Sequence, residues 1–253
     1  HHCFREIEIM KTYTQFANVY DRLMQDVDYV KLCDQMLFVS ESFGHRPHLV
    51  LDAACGTGSF TLQLATRKLD VIGVDQSPEM LAVAREKLQG TNTLLLCQDL
   101  KALDLYGTVD TAFCTLDGLN HITNKNDLIR ILKKIALFLD PGGLFLFDVN
   151  TVYKHKKILG NNIFISEENG IYLVWQNRCR QNTVTMDMDV FVNGENGYTR
   201  ICEQITERAY SHDELCGLLQ QAGLYVLKTF DFNTMRRPGT KSEKIIYVVR
   251  KEL

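Results

Sequence analysis

Between Val50 and Val149 the chain alternates short apolar runs with amphipathic stretches, and this alternation leaves few folds open. The runs 48–54, 70–75, 93–97, 109–115 and 144–149 read as strands, the first of them buried, and helical stretches fill the gaps between them. Strands separated by helices form βαβ units, which build a parallel sheet with helices packed against it. Local signals agree with this reading. Ser77-Pro78-Glu79 opens a helix with a capping hydroxyl, a proline suited to the first turn and an acid at the positive dipole end. A helix from about 126 to 139 runs into Asp140-Pro-Gly-Gly, a turn that should stop it before the next strand.

Past residue 150 the pattern changes. Over 171–207 the helical period is lost. Val184, Met186, Met188, Val190 and Val192 alternate with Thr185, Asp187, Asp189 and Phe191, the two-residue period of a strand. Asn193-Gly-Glu-Asn-Gly197 supplies a turn and YTRICEQITER a return strand, so this segment reads as an antiparallel insertion. Ser211-His-Asp-Glu214 is a capping box that starts a further helix, and LYVLKTF and KIIYVVR offer two closing strands. The predicted fold is therefore α/β, Rossmann-like. It has a seven-stranded mostly parallel sheet, helices on both faces, and an antiparallel β insertion before the last helix and strands. The predicted division is an N-terminal helical segment (1–44), an α/β domain (45–150 and 209–253) and the insertion (151–208).

Composition narrows the partners. The 253 residues are 45% hydrophobic and 23% charged, enough for a packed core. A net charge of −3 gives no electrostatic reason to expect nucleic acid or an anionic membrane as partner. No stretch approaches the roughly 18 unbroken apolar residues of a membrane span. The eight cysteines are scattered, with neither a CxxC pair nor zinc spacing, so they read as reduced thiols of a cytoplasmic protein with no metal. The first residues, HHCFREIEIMK, lack a hydrophobic signal core. His1 and His2 read as a tag remnant, with Met10 as the natural start.

In an open α/β sheet, ligands bind beyond the carboxyl ends of the strands, where strand order reverses. Three features fall at successive strand ends. Asp52-Ala-Ala-Cys-Gly56-Thr-Gly58 is a turn whose glycines let backbone approach a ligand. Asp75 closes the second strand and can accept both hydroxyls of a ribose. Gln98-Asp99-Leu100 closes the third, where Asp99 can accept from an adenine amino group. Taken singly, each is as well explained by a cap, a surface acid or a common turn. Together they describe an adenosine site. A nicotinamide dinucleotide site shares the first two features but needs G-x-G-x-x-G, and here the third glycine position is Thr61.

LDAACGTGSF (51–60), GVDQSPEM (73–80), CQDL (97–100) and LDPGGLFLFDVN (139–150) resemble the successive motifs of class I S-adenosylmethionine-dependent methyltransferases. YTQFANVYDRLMQDVDY (13–29), FCTLDGLNHI (113–122) and the β insertion resemble a narrower bacterial group of small-molecule methyltransferases, loosely similar to glycine/sarcosine N-methyltransferases. The resemblance covers roughly residues 12–250 and is specific for the cofactor, not for the acceptor. Ala54 departs from it, standing where the commonest loop has glycine. The resemblance implies S-adenosylmethionine as cofactor and S-adenosylhomocysteine as product. It implies that Gly56 and neighbouring backbone hold the methionine moiety, Asp75 the ribose, and Gln98, Asp99 and Leu100 the adenine, with Asp52, Gly58 and Gln76 also among the cofactor-binding residues. Met80 would pack on the ring, and Ala54 and Leu116 would line the wall. It also lays the N-terminal segment over the cofactor. There Tyr13 or Tyr20 can face the sulfonium and Arg22 can pair with the carboxylate, while the helical spacing of Tyr13, Phe16, Tyr20 and Leu23 is equally that of an amphipathic helix docked on the domain.

The cofactor brings its own electrophile, so the protein's task is alignment and exclusion of water. Candidate catalytic residues follow the fourth strand: Asp117, Asn120 and His121. His121 can deprotonate an acceptor or simply be a loop histidine, and Asp117 and Asn120 can orient substrate or bind loop backbone. Trp175, Met186 and Met188 lie in the insertion, a candidate roof for the acceptor, with core packing the favoured role for each of the three. The Asn/Asp-Pro-Pro-aromatic motif of base-methylating enzymes is replaced by Leu116-Asp-Gly-Leu119, which with the acidic balance favours a small-molecule acceptor over DNA or RNA. A non-catalytic S-adenosylmethionine sensor would carry the same motifs, and an NAD(P)-dependent oxidoreductase is the remaining alternative. The oligomeric state stays open.

Overall fold

A computed structural model describes residues 16–195 and 197–252. Five strands alternate with helices through the first half: β1 (Leu49–Ala53), α3 (Ser59–Thr66), β2 (Asp70–Asp75), α4 (Pro78–Lys87), β3 (Thr93–Cys97), β4 (Val109–Cys114), α5 (Lys125–Phe138) and β5 (Leu139–Asn150). Two helices precede them, α1 (residues 16–23) and α2 (Tyr29–Ser42). β6 (Ile163–Glu168), β7 (Ile171–Arg180), β8 (Thr183–Gly194) and β9 (Gly197–Arg208) follow, and α6 (His212–Gln221), β10 (Leu224–Asp231) and β11 (Lys244–Lys251) complete the chain.

The main sheet has the order β10-β11-β5-β4-β1-β2-β3, and β6-β7-β8-β9 form a second, antiparallel sheet. Strands β1 to β5 pair in parallel, whereas β11 runs antiparallel between β5 and β10. Each face of the main sheet is covered for a sequence reason. α5 turns Leu128, Ile131, Leu132 and Ile135 inward and α6 adds Leu215 and Leu219, all buried against Phe145 and Phe147. On the other face α2 and α3 bury Leu32, Met36, Phe60 and Leu64 against Val50, Phe113 and Leu146. The expected caps are present: Ser77 Oγ accepts from Met80 N at 3.2 Å and Ser211 Oγ from Glu214 N at 3.2 Å. The second sheet meets the rest of the molecule through α1, whose Phe16 and Val19 pack on Ile171, Val190 and Ile201.

Two elements differ from the sequence reading. Asp140-Pro-Gly-Gly143 does not separate helix from strand, because β5 already begins at Leu139. The pairing with β4 jumps from Val109–Leu139 to Thr111–Leu144, so these residues form an irregularity within the strand. Glycine makes it possible: Gly142 has φ +76°, and a Cβ on Gly143 would lie 2.7 Å from the Asp110 carbonyl. The second departure is β6, an edge strand exposed along its whole length and hence without the alternation that marks a half-buried strand.

Phe147 tests this packing most directly. It is fully buried and stacks on Tyr247 of β11 with ring centroids 5.1 Å apart. Phe147→Ala should cost about 3–5 kcal/mol of unfolding free energy, read from the shift in urea midpoint; a loss under about 1 kcal/mol would mean that the seam between β5 and β11 is not part of the core.

Candidate functional site

Strand order reverses at β1, with β2 on one side and β4 on the other, and a cavity of about 360 Å³ opens beyond the carboxyl ends there. The turn after β1 enters it with Ala54 at φ +61°, Gly56 at +55° and Gly58 at +76°. A side chain on Gly56, which lines the cavity, would meet no protein atom within 4 Å. Gly58 has a different duty. A Cβ there would sit 3.0 Å from Ala84 Cβ of α4, so its glycine lets α3 and α4 close up, and it does not line the cavity.

Carboxylates stand at the ends of β1, β2 and β3 in three environments. Asp52 is buried and accepts from Thr61 Oγ1 at 2.5 Å; burial pushes its carboxyl up to about 7, against the pull of that hydrogen bond. Asp75 accepts from Gly56 N and Ser77 N, both at 2.9 Å, and so stitches the two strand ends together. Asp99 accepts from Lys101 N at 2.9 Å, capping a 3-10 turn (Leu100–Ala102), with Lys101 Nζ 3.3 Å away. Gln98 exchanges side-chain hydrogen bonds with the Asp104 backbone at 3.0 and 3.1 Å, which fixes the loop. Gln76, Met80, Leu100, Ala54 and Leu116 also line the cavity.

The loop after β4 is held from behind. Leu116 and Asp117 both have left-handed backbone, and their amides donate to Asp148 at 2.7 and 2.9 Å. Lys244 of β11 places its ammonium 2.6 Å from Asp117 and 3.1 Å from Asp148. That pairing outweighs burial and holds the Asp117 carboxyl well below the usual range. Asp117 is therefore corrected from candidate catalyst to ion-pair partner; a carboxylate so stabilised is a poor base, and it does not line the cavity. Asn120 is corrected likewise. It is buried, donates to the Asn150 and Arg208 carbonyls at 3.1 and 3.0 Å, and accepts from Asn150 N at 2.9 Å, so both amide protons are engaged in joining β5 to β9. Of the three candidates His121 alone reaches the cavity, with Nε2 4.0 Å from Glu207 Oε1. Glu207 is itself buried and fixed by Asn150 Nδ2 at 3.0 Å and His155 Nε2 at 3.2 Å. Asp117, His121 and Glu207 bring ligand atoms within 4.8 Å of one another, but Lys244 already neutralises Asp117, which makes this a weak setting for a cation.

The N-terminal segment covers the cavity with Phe16 and Tyr20 of α1 and with Tyr29 of α2. Burial raises the Tyr20 hydroxyl well above its ordinary value and pushes Tyr29 up to about 12, so both are neutral phenols. Tyr13 lies outside the described residues. Arg22 is corrected: its guanidinium donates to the Asn169 carbonyl in the β6–β7 turn, away from the cavity. The polar anchor of α1 is its neighbour Asp21, which accepts from Thr57 Oγ1 at 2.6 Å and from Lys87 Nζ at 2.7 Å. Trp175 and Met186 pack with Leu159 and Val184, and Met188 packs towards α1, so these three do not form the roof. The roof comes from β9, through Glu203 and Ile205, which sequence reasoning missed.

Comparison with known proteins fits this geometry. A model described as a methyltransferase domain matches residues 50–143. A protein of Bacillus subtilis (strain 168) whose name places it among methyltransferases is 31% identical over 244 residues, covering 94% of this chain and 97% of that one. The crystal structure of an S-adenosylmethionine-dependent methyltransferase from Clostridium acetobutylicum is 33% identical, with a TM-score of 0.88 over 95% of this chain and 99% of the other. An amino pentose methyltransferase from Micromonospora echinaspora, solved with S-adenosylmethionine bound, shares the fold at 19% identity and a TM-score of 0.73 over 92% of this chain and 96% of that one.

Asp52 makes the site's electrostatics measurable. Its folded carboxyl titrates near 7 because of burial, whereas an unfolded aspartate titrates near about 4. The folded state thus holds the proton more tightly, and stability from this group is present below about pH 4 and lost as pH rises through about 7. Urea midpoints of the ligand-free protein should show this fall, and Asp52→Asn should flatten it. Parallel pH profiles for the two proteins would assign the pH dependence elsewhere.

Proposed function

The chain belongs to the S-adenosylmethionine-dependent methyltransferases, and from that premise we propose that it methylates a nitrogen or oxygen nucleophile of a small molecule held beneath the second sheet. S-adenosylmethionine is the cofactor and S-adenosylhomocysteine the product. One observation carries the reading: carboxylates from three successive strand ends converge on a single cavity whose roof is a strand of the inserted sheet.

The residues present suit the cofactor. No lysine or arginine is among the described residues lining the cavity, while Asp52, Asp75, Asp99 and Glu203 are, so the space favours positive charge. Asp75 uses each oxygen once on a backbone amide, and a carboxylate oxygen accepts more than one hydrogen bond, which leaves capacity for ribose hydroxyls. Gln98, Asp99 and Leu100 would take the adenine with Met80 against its face, and Asp52, Ala54 and Gly56 would take the methionine moiety. The neutral rings of Tyr20 and Tyr29 are suited to lie near a sulfonium. When bound, the cofactor supplies a methyl group on a sulfonium, an electrophile that needs no further activation.

The chain's own residues exclude water and align the acceptor. α1 and Ile205 cover the cavity from two sides, and positioning of this kind is worth about 7–11 kcal/mol of a barrier. His121 stands at the edge, backed by the fixed Glu207, as the group to receive a proton from the acceptor. Glu207 is held by Asn150 and His155, so it can orient the imidazole without moving. An acidic cavity also disfavours a polyanion, which supports a small molecule over nucleic acid. The unpaired thiols of the seven described cysteines support a cytoplasmic setting. No described helix is long and apolar enough to cross a membrane.

Thermal melting with S-adenosylhomocysteine, with NAD and with neither, on wild type and Asp75→Ala, tests the reading. At 100 times its dissociation constant a ligand adds about 2.7 kcal/mol of stability. S-adenosylhomocysteine alone should raise the wild-type Tm, and Asp75→Ala should reduce the rise. Stabilisation by NAD, or none by S-adenosylhomocysteine at saturation, would overturn it.

A further inference from the structure

The inner face of β9 is unusual in composition. Ile201, Glu203, Ile205 and Glu207 share it, because alternate residues of a strand point the same way. Glu207 is engaged by Asn150 and His155. Glu203 is not engaged in this way. Among the described residues no cation pairs with its carboxylate, and the backbone amide of Gln204 is the polar group beside it. It is half-buried, it lines the cavity, and burial raises its pKa. The other three cavity carboxylates stand at the ends of β1, β2 and β3, the cofactor's side, whereas Glu203 hangs from the roof.

Its cross-strand neighbours sharpen the contrast. Glu203 pairs with Met188, Met188 with Trp175, and Trp175 with Phe164, so a transverse row of three apolar side chains ends in one acid at the cavity. Directly opposed residues in antiparallel strands project on the same face. Phe164 and Trp175 are in ring contact, with centroids 5.3 Å apart. An acid so placed loses hydration and gains no ion pair, a combination that persists at functional sites more readily than in a core. With no lysine or arginine among the described residues lining the cavity, an anionic acceptor would find neither there to offset its charge.

We propose that Glu203 is the acceptor-binding carboxylate of this enzyme, and that the acceptor is a small amine received as its ammonium ion, which gives one proton to His121 so that the freed nitrogen lone pair can take the methyl group from the sulfonium and leave S-adenosylhomocysteine. This inference rests on the methyltransferase reading and narrows its acceptor from nitrogen or oxygen nucleophiles to amines. Glu203 supplies selectivity by charge, and Ile205 beside it keeps the contact out of bulk water, where an ion pair would be worth little.

Binding is read by calorimetric titration, which needs no chromophore at the cavity. The probes are 2-phenylethylammonium and its uncharged counterpart 2-phenylethanol, titrated into the full chain saturated with S-adenosylhomocysteine. S-adenosylhomocysteine affinity is measured separately by calorimetry. The wild type should bind the ammonium about tenfold more tightly than the alcohol, the ratio expected of one charge-assisted hydrogen bond. Glu203→Gln should abolish that preference while leaving affinity for the alcohol and for S-adenosylhomocysteine within about twofold. Equal binding of the two probes by the wild type, or a preference that survives in Glu203→Gln, overturns the assignment. A parallel loss of S-adenosylhomocysteine affinity in the variant also overturns it, because Glu203 would then be a cofactor contact. Failure of S-adenosylhomocysteine to bind the wild type would overturn the methyltransferase reading itself.

Discussion

The buried carboxylate of Asp148 governs how the cavity is built. It follows the apolar run Leu144–Phe147 of β5, and it accepts from the amides of Leu116 and Asp117, whose left-handed backbone would cost about 1–3 kcal/mol at each position. That conformation persists only if its surroundings over-determine it. Lys244 completes the arrangement by pairing with Asp148 and Asp117 at once. Burial, and after it the charge of Asp117, raise Asp148 against the pull of Lys244, so without the ammonium two neighbouring acids would compete for a proton and the loop would lose its anchor. β11 supplies that lysine, and the antiparallel insertion of β11 beside β5 is thereby tied to the wall that Leu116 presents to the ligand.

Identical chemistry at successive strand ends does not produce identical groups. Asp52, Asp75 and Asp99 are all aspartates, yet one is buried beside a threonine hydroxyl, one bridges two turns, and one caps a 3-10 turn beside a lysine. Of the three, Asp52 alone lacks both backbone donors and a cation, and burial lifts its carboxyl towards neutrality. A positively charged ligand group would be received by an acid that gains from its arrival, whereas Asp75 is already organised before anything binds.

This contrast also explains what was legible in the sequence. Buried parallel strands are continuous apolar runs, so β1 to β5 and the residues at their carboxyl ends could be located by eye, and Asp52, Asp75 and Asp99 came with them. β6 was not legible because IFISEE is solvent-exposed throughout and carries no alternation. On α1, Arg22 stands out in the sequence because a cofactor carboxylate suggests a cation. The helix instead turns Asp21 towards Thr57 and Lys87. Asn120 looked like a catalytic amide because its commitment is to the Asn150 and Arg208 backbone, contacts that bridge distant parts of the chain. The roof was missed because YTRICEQITER reads as a solvated return strand. A signal was present: Glu203 and Glu207 alternate with Ile201 and Ile205 on one face, whereas Arg200 and Gln204 on the other pair with Asp189 and Asp187. Acids that share a face with isoleucines are not on the solvent side.

Roof and cofactor turn are positioned relative to each other through α1. Its Asp21 is hydrogen-bonded to Thr57 of the turn after β1, and its Phe16 and Val19 pack on the second sheet. One short helix thus carries a polar anchor on one side and an apolar anchor on the other. The inner face of β9 is in consequence held at a set distance from the carboxylates below, although the two lie far apart in the chain. The cofactor side relies on backbone geometry and strand ends, which tolerate little change, while the roof relies on side chains of a strand whose pairing does not depend on them. Substitution at Glu203 or Ile205 alters what the cavity accepts without touching Asp52, Asp75 or the Asp148–Lys244 pair. Acceptor choice can therefore vary independently of cofactor binding, and the physical reason is that the two are built on different sheets.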